Sequence, residues 1–129
     1  MIQFPYLKNL KILSMALKQF EIWIADLNPQ TGTKAGKTRP VLIVQTNLLN
    51  KLTHPSAIVC PITTNVEKET EILRVHLKKG TANLQKDCDI VIDQIRAIDN
   101  KRVINKIGDL PKTLIDRVKN NIKIMMDID

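Results

Sequence analysis

Residues 20–46 read FEIWIADLNPQTGTKAGKTRPVLIVQT, and this stretch sets the fold class. In FEIWIADL, Phe20, Ile22 and Ile24 fall on one face, the two-residue period of a half-buried strand. The strand ends in NPQTGTKAGKTRP, where Pro29, Gly32, Gly36 and Pro40 punctuate a loop. That loop carries Lys34, Lys37 and Arg39 and no acid, which makes it the most basic loop of the chain. PVLIVQT, residues 40–46, is then a continuous apolar run of the kind found in a strand buried on both faces.

Working outward, Asn47 can cap a short helix over LLNKL, before Thr53, His54 and Pro55 turn the chain. SAIVCPIT follows as a second buried strand that ends at the hydroxyls of Thr63 and Thr64, and NVEKETE reads as a polar loop. ILRVHL alternates Ile72, Arg74 and His76 against Leu73, Val75 and Leu77. DCDIVIDQIRAI predicts one more strand, with a bend at Asp93 and Gln94. After RVINKIGDL, Pro111 suits an early helical position, and Leu114, Ile115, Val118, Ile122, Met125 and Met126 recur at helical spacing. Several short strands with one terminal helix predict a mainly β fold, an SH3-like small barrel with a C-terminal α-helix, because closure protects the edges of a small antiparallel sheet.

Upstream, MIQFPYLKNLKILS is interrupted by Pro5, Lys8, Asn9 and Lys11, so it holds neither a signal-peptide core nor a membrane span. Met15 opens MALKQFEIW, which leads into the first strand. Residues 1–14 are therefore expected to be an N-terminal extension or an upstream start, and residues 15–129 the domain. The missing signal and span predict a cytoplasmic protein.

A chain of 129 residues fits one domain, and 43% hydrophobic with 26% charged residues is an ordinary globular balance. The net charge of +7 favours a polyanionic partner, nucleic acid first, because Lys and Arg displace counterions from phosphates. Cys60 and Cys88 have neither CxxC spacing nor a His/Cys cluster, which predicts reduced core thiols, no metal site and no disulfide framework. His54 and His76 lie in no catalytic or metal motif, and each reads as structural or solvent-facing. The spacing from Gly32 to Gly36 is one residue short of a Walker loop, which excludes that kind of nucleotide hydrolysis. No cofactor is expected. Beyond the N-terminal segment the aromatics are Phe20 and Trp23, too few for a base-stacking module such as an RRM or cold-shock domain. Trp23 is expected in the barrel or at its rim.

Four blocks follow one another at compatible spacing: EIWIADLNPQTGTKAGKTRPVLIVQTN, SAIVCPIT, DIVIDQIRAID and KIGDLPKTLIDRV. Together they resemble the MazF/PemK family of toxins over nearly all of residues 18–126. The resemblance implies a CcdB-like small barrel and a sequence-specific endoribonuclease, an mRNA interferase, of a toxin–antitoxin system. It implies metal-independent cleavage of single-stranded RNA, in which the ribose 2′-hydroxyl attacks its own 3′-phosphate and leaves a 2′,3′-cyclic phosphate and a 5′-hydroxyl. Family active-site positions map to Arg39, before the Pro of TRP, and Thr63, at the end of the next long strand. Lys34 stands where the family often has an acid, which counts against an acidic contribution from this loop. The resemblance also implies a homodimer and a small MazE-like antitoxin, whose acidic disordered tail would suit a basic groove.

Because the substrate brings its own nucleophile, the enzyme must align the attack, stabilise the phosphoryl oxygens and move protons. Arg39 suits stabilisation, since its planar guanidinium stays charged and grips two phosphate oxygens at once. Thr63 offers a hydroxyl donor on a β-branched frame with few rotamers; the ordinary alternative is a strand-end Thr bonded to its own backbone. Lys34 and Lys37 are expected to hold the RNA backbone, and Gln94 to read a base edge. The rivals are a CcdB-type gyrase poison and a noncatalytic RNA-binding module on the same fold.

Overall fold

The computed structural model describes residues 17–27, 37–52 and 54–129. The expected extension over residues 1–14, the tip of the basic loop with Lys34, and Thr53 lie outside the described residues. The strands are β1 (Glu21–Asp26), β2 (Thr38–Ile43), β3 (Ser56–Thr63), β4 (Arg74–Leu77), β5 (Cys88–Val91), β6 (Arg96–Asp99) and β7 (Val103–Asp109). A short helix α1 (Asn47–Lys51) follows β2, and α2 (Lys112–Met126) closes the chain. All pairings are antiparallel, in the order β4-β5-β3-β2-β1-β7, with β6 also on β3.

β3 is the hinge of the sheet. Its N-terminal half, Ser56–Val59, pairs with β6, while Ile62 and Thr63 pair with β5. A single 3-10 turn over Ile92–Gln94 joins those two partners. The seven strands thus curl around β3, which gives the mainly β, barrel-like architecture with a C-terminal helix that the periodicity predicts.

The curl encloses two cores on opposite faces. One holds Ile22, Leu42, Cys60, Ile62, Val75 and Ile90 under α2, with Val118 fully buried and Leu114, Ile115, Ile122 and Met125 packed against it. The other holds Trp23, Ala25, Val41, Ile43, Val59, Ile98 and Val103. Burial on this scale is the main source of stability, at about 25 cal/mol per Å² of apolar surface removed from water. Among the described residues no helix is long and apolar enough to cross a membrane.

The two cores correct several local expectations. β1 is buried on both faces, because Ile22 enters one core while Trp23 and Ala25 enter the other, so it is not the half-buried strand its alternation suggested. DCDIVIDQIRAI forms two strands rather than one, since its bend tightens into the 3-10 turn that sends β5 and β6 to different ends of β3. β2 runs from Thr38 to Ile43 rather than over residues 40–46, which moves Thr38 and Arg39 from the loop into the sheet. Thr46, not Asn47, caps α1, its hydroxyl accepting from the Leu48 N–H; the Asn47 side chain instead accepts from the Gln19 N–H. Pro111 is the N-cap of α2 rather than part of it, its backbone still extended, and Met126 is exposed. ILRVHL pairs only over β4, because Leu73 turns to a φ of 69° just before it.

Candidate nucleic-acid interface

The basic loop departs from β1 and returns into β2, and its base is closed by the Leu27 N–H donating to the Lys37 carbonyl at 3.1 Å. The Leu27 carbonyl in turn accepts from the guanidinium of Arg96 on β6. Both polar groups of one backbone residue are thus held, and the loop leaves the sheet at a fixed place. Beside it lies an open cleft of about 500 Å³. Its polar lining is Lys37, Arg39, Gln94 and Arg96, over apolar surface from Leu27, Pro61 and Ile95.

Each of these side chains arrives for a local reason. Arg39 is on β2 opposite Ala25 of β1, half-buried, and held in register by the apolar run that follows it. Gln94 ends the 3-10 turn and is exposed, as is Arg96, the first residue of β6. Sequence reasoning singled out Lys37, Arg39 and Gln94, and the fold brings all three to one cleft. It missed Arg96, whose only signal was a cation two residues after Gln94 in DQIR. Lys34 lies outside the described residues.

Thr63 is not among the residues lining the cleft, yet it is near it by register. β2 and β3 pair as far as Val41 opposite Pro61, which lines the cleft, and Arg39 and Thr63 each lie two residues beyond that pair on their own strands. Thr63 is half-buried at the strand end, and its Oγ1 accepts from the Asn65 N–H at 3.1 Å. This is the local backbone bond expected of a strand-end Thr, and it occupies a lone pair without using the hydroxyl proton.

The surrounding chemistry is equally specific. Cys60 and Cys88 are free and buried, as expected. Burial pushes the Cys60 thiol up to about 12, and burial, with Asp87 and Asp89 nearby, raises Cys88, so neither is a ready nucleophile near neutral pH. Trp23 is buried with its Nε1 donating to Glu21 at 3.1 Å, a core role that leaves no ring face for a base. His54 serves a turn, its Nδ1 lying 3.1 Å from the Ser56 carbonyl. His76 is more involved than a solvent-facing ring: its Nδ1 is 2.6 Å from Asp89. Cationic and amide donors beside a hydroxyl suit an extended phosphodiester, whose backbone they can hold while the amide reads a base.

Comparison with known proteins agrees with that chemistry. Residues 18–126 match the family of PemK-like, MazF-like toxins of type II toxin–antitoxin systems. Endoribonuclease EndoA of Bacillus subtilis (strain 168) is 32% identical over 112 residues, 87% of this chain and 96% of that protein. Endoribonuclease MazF of Staphylococcus epidermidis is 32% identical over 113 residues, 88% of this chain and 93% of that protein. Among solved structures, the Mycobacterium tuberculosis toxin MazF-mt6 matches with a TM-score of 0.65 at 25% identity, covering 84% of this chain and 98% of that one. A MazE-MazF structure from Deinococcus radiodurans shares the fold with a TM-score of 0.73 at 17% identity, covering 88% and 98%.

Proposed function

The chain belongs to the PemK-like, MazF-like toxins of type II toxin–antitoxin systems, and from that premise we propose how it acts as an endoribonuclease. The observation that carries the reading is the cleft in which Lys37, Arg39, Gln94 and Arg96 converge beside the strand end bearing Thr63. Single-stranded RNA lies in this cleft with its backbone on the cations and one base edge on Gln94. The ribose 2′-hydroxyl gives up its proton as its oxygen attacks the adjacent phosphorus, the bond to the 5′-oxygen breaks as that oxygen takes up a proton, and a 2′,3′-cyclic phosphate and a 5′-hydroxyl remain. Arg39 and the Thr63 hydroxyl are the catalytic residues; they donate to the phosphoryl oxygens on which charge develops, and no metal takes part. Lys34, on the same loop, adds a backbone contact.

The protein works as a cytoplasmic homodimer, its domain spanning residues 15–129, restrained by an antitoxin whose acidic segment covers the cations. The family description supports an antitoxin partner, and the basic cleft supports an acidic one.

A long RNA incubated with the protein in EDTA, with the cut ends mapped, tests this. Wild type is expected to give discrete cuts with cyclic-phosphate and 5′-hydroxyl ends. Arg39→Ala and Thr63→Ala are each expected to lower kcat by roughly 10²–10³-fold. RNA that is bound but left intact by wild type would favour a noncatalytic binding module; RNA neither bound nor cut would favour the gyrase poison.

A further inference from the structure

A row of side chains crosses the sheet away from the cleft. Thr63 of β3 stands opposite Asp89 of β5, and Asp89 opposite His76 of β4. Residues paired across antiparallel strands project to the same face, so the three are neighbours on one surface of the sheet. Asp89 has no exposed surface at all, and its carboxylate is fully engaged. Oδ2 accepts from the Glu67 N–H at 2.9 Å and from Arg74 Nη1 at 3.0 Å, and Oδ1 accepts from His76 Nδ1 at 2.6 Å. Arg74 Nη1 also donates to the Asn65 carbonyl at 2.9 Å, and the Asn65 N–H donates to Thr63 Oγ1. An unbroken chain of hydrogen bonds therefore runs from Asp89 through Arg74 and Asn65 to Thr63.

We infer that Asp89 is a positioning residue for RNA cleavage, holding the loop after β3 so that Thr63 presents its hydroxyl proton to the scissile phosphate. The inference rests on the assignment of Thr63 to the active site made above. With one lone pair of Oγ1 committed to Asn65, the O–H vector is confined to directions away from that backbone. What fixes Asn65 is Arg74, and what fixes Arg74 is Asp89. The guanidinium's other carboxylate, Glu67, lies at 3.4 Å and is half exposed, the kind of ion pair that holds geometry weakly.

His76 completes the clamp from the far side. Among the described residues its Nε2 is buried without a partner, so the ring's polar contact is with Asp89, whose Oδ1 accepts from the Nδ1–H. Burial alone pushes the Asp89 carboxyl up, but hydrogen bonds from Glu67, His76 and Arg74 outweigh it and hold the group below the usual carboxylate value. The acid is thus ionised at neutral pH and able to anchor Arg74.

Kinetics on the full chain test this, with Asp89→Asn and Arg74→Lys each made in the wild-type and Thr63→Ala backgrounds. Asn keeps the shape of Asp but loses the charge and one acceptor; Lys keeps the charge but loses the fork that reaches Asn65 and Asp89 together. With Thr63 present, each variant is expected to lower single-turnover kcat by roughly 10–100-fold, leaving KM within about twofold. In the Thr63→Ala background the same substitutions are expected to change the residual rate by less than about twofold, because they act through the absent hydroxyl. Equal losses in both backgrounds, or no loss with Thr63 present, would overturn the inference even while Thr63→Ala alone is crippled. If Thr63→Ala cleaves like wild type, the Thr63 assignment falls and the relay with it. Should Asp89→Asn fail to fold, Arg74→Lys alone decides between these outcomes.

Discussion

Among the described residues two carboxylates are buried, and they are held in contrasting ways. Glu21 opens β1 and leans on solvent: Oε1 accepts from the Lys18 N–H at 2.8 Å and from Trp23 Nε1, while Oε2 meets Lys106 Nζ at 2.7 Å. Lys106 remains 38% exposed and also meets Asp109 at 3.0 Å, so its ammonium keeps water and an alternative acid within reach. Asp89 is sealed under the loop after β3, and Arg74, its cationic partner, is only 15% exposed. One buried charge can trade its partner for water, and the other cannot. A sealed charge dictates the geometry of the groups around it, which is why the Asp89 side of the sheet, and not the Glu21 side, can hold the loop that bonds the Thr63 hydroxyl.

The largest test of that contrast is truncation. Asp89→Ala is expected to destabilise the fold by about 3–5 kcal/mol, because it strands a mostly buried guanidinium and an imidazole. Glu21→Ala is expected to lose about 1–2 kcal/mol, since Lys106 turns to water and only the Trp23 and Lys18 donors lose their acceptor. Urea unfolding of both variants checks the order; equal losses would erase the distinction.

Acid gives the next effect. The folded-state pKa of Asp89 lies below the ordinary value of 3.8, so its contribution is complete above that pH and is lost as the pH falls through the folded value. The stability gap between wild type and Asp89→Asn is therefore expected to be constant near neutral pH and to shrink below about pH 4. Thermal unfolding across that range measures it, and a gap that widens in acid would mean the carboxyl is protonated in the native protein.

The smallest effect belongs to Lys106. Lys106→Met is expected to change stability less than Glu21→Ala does. In wild type, added salt should weaken the Lys106 pair while leaving the Asp89 cluster nearly untouched, because screening acts on solvated charges first. Chemical denaturation by urea at low and high salt separates the two.

Much of this protein was legible one segment at a time. FEIWIADL, PVLIVQT and SAIVCPIT announced strands because burial repeats along each of them. The α2 stripe announced a helix for the same reason, at a different period. Arg39 and Thr63 were singled out because they sit in blocks that resemble a known family, and Gln94 because it is an amide within DQIR. Asp89 was passed over as one letter in an apolar run, although an acid within CDIVI and a His within RVHL were a signal that the two strands pair at those positions. The split of DCDIVIDQIRAI was hidden because nothing within that segment says that β3 will accept a different partner at each end.

The sequence by itself determined most of the element types, the basic character of the loop and the family to which its blocks are similar, because periodicity, charge and side-chain chemistry are properties of neighbouring residues. Tertiary structure alone decided that Arg96 pins the loop at Leu27 and that Asp89 collects Glu67, Arg74 and His76. Those contacts join residues far apart in the chain, and at Asp89 their strength comes from the exclusion of water, which exists only once the sheet has closed around the carboxylate.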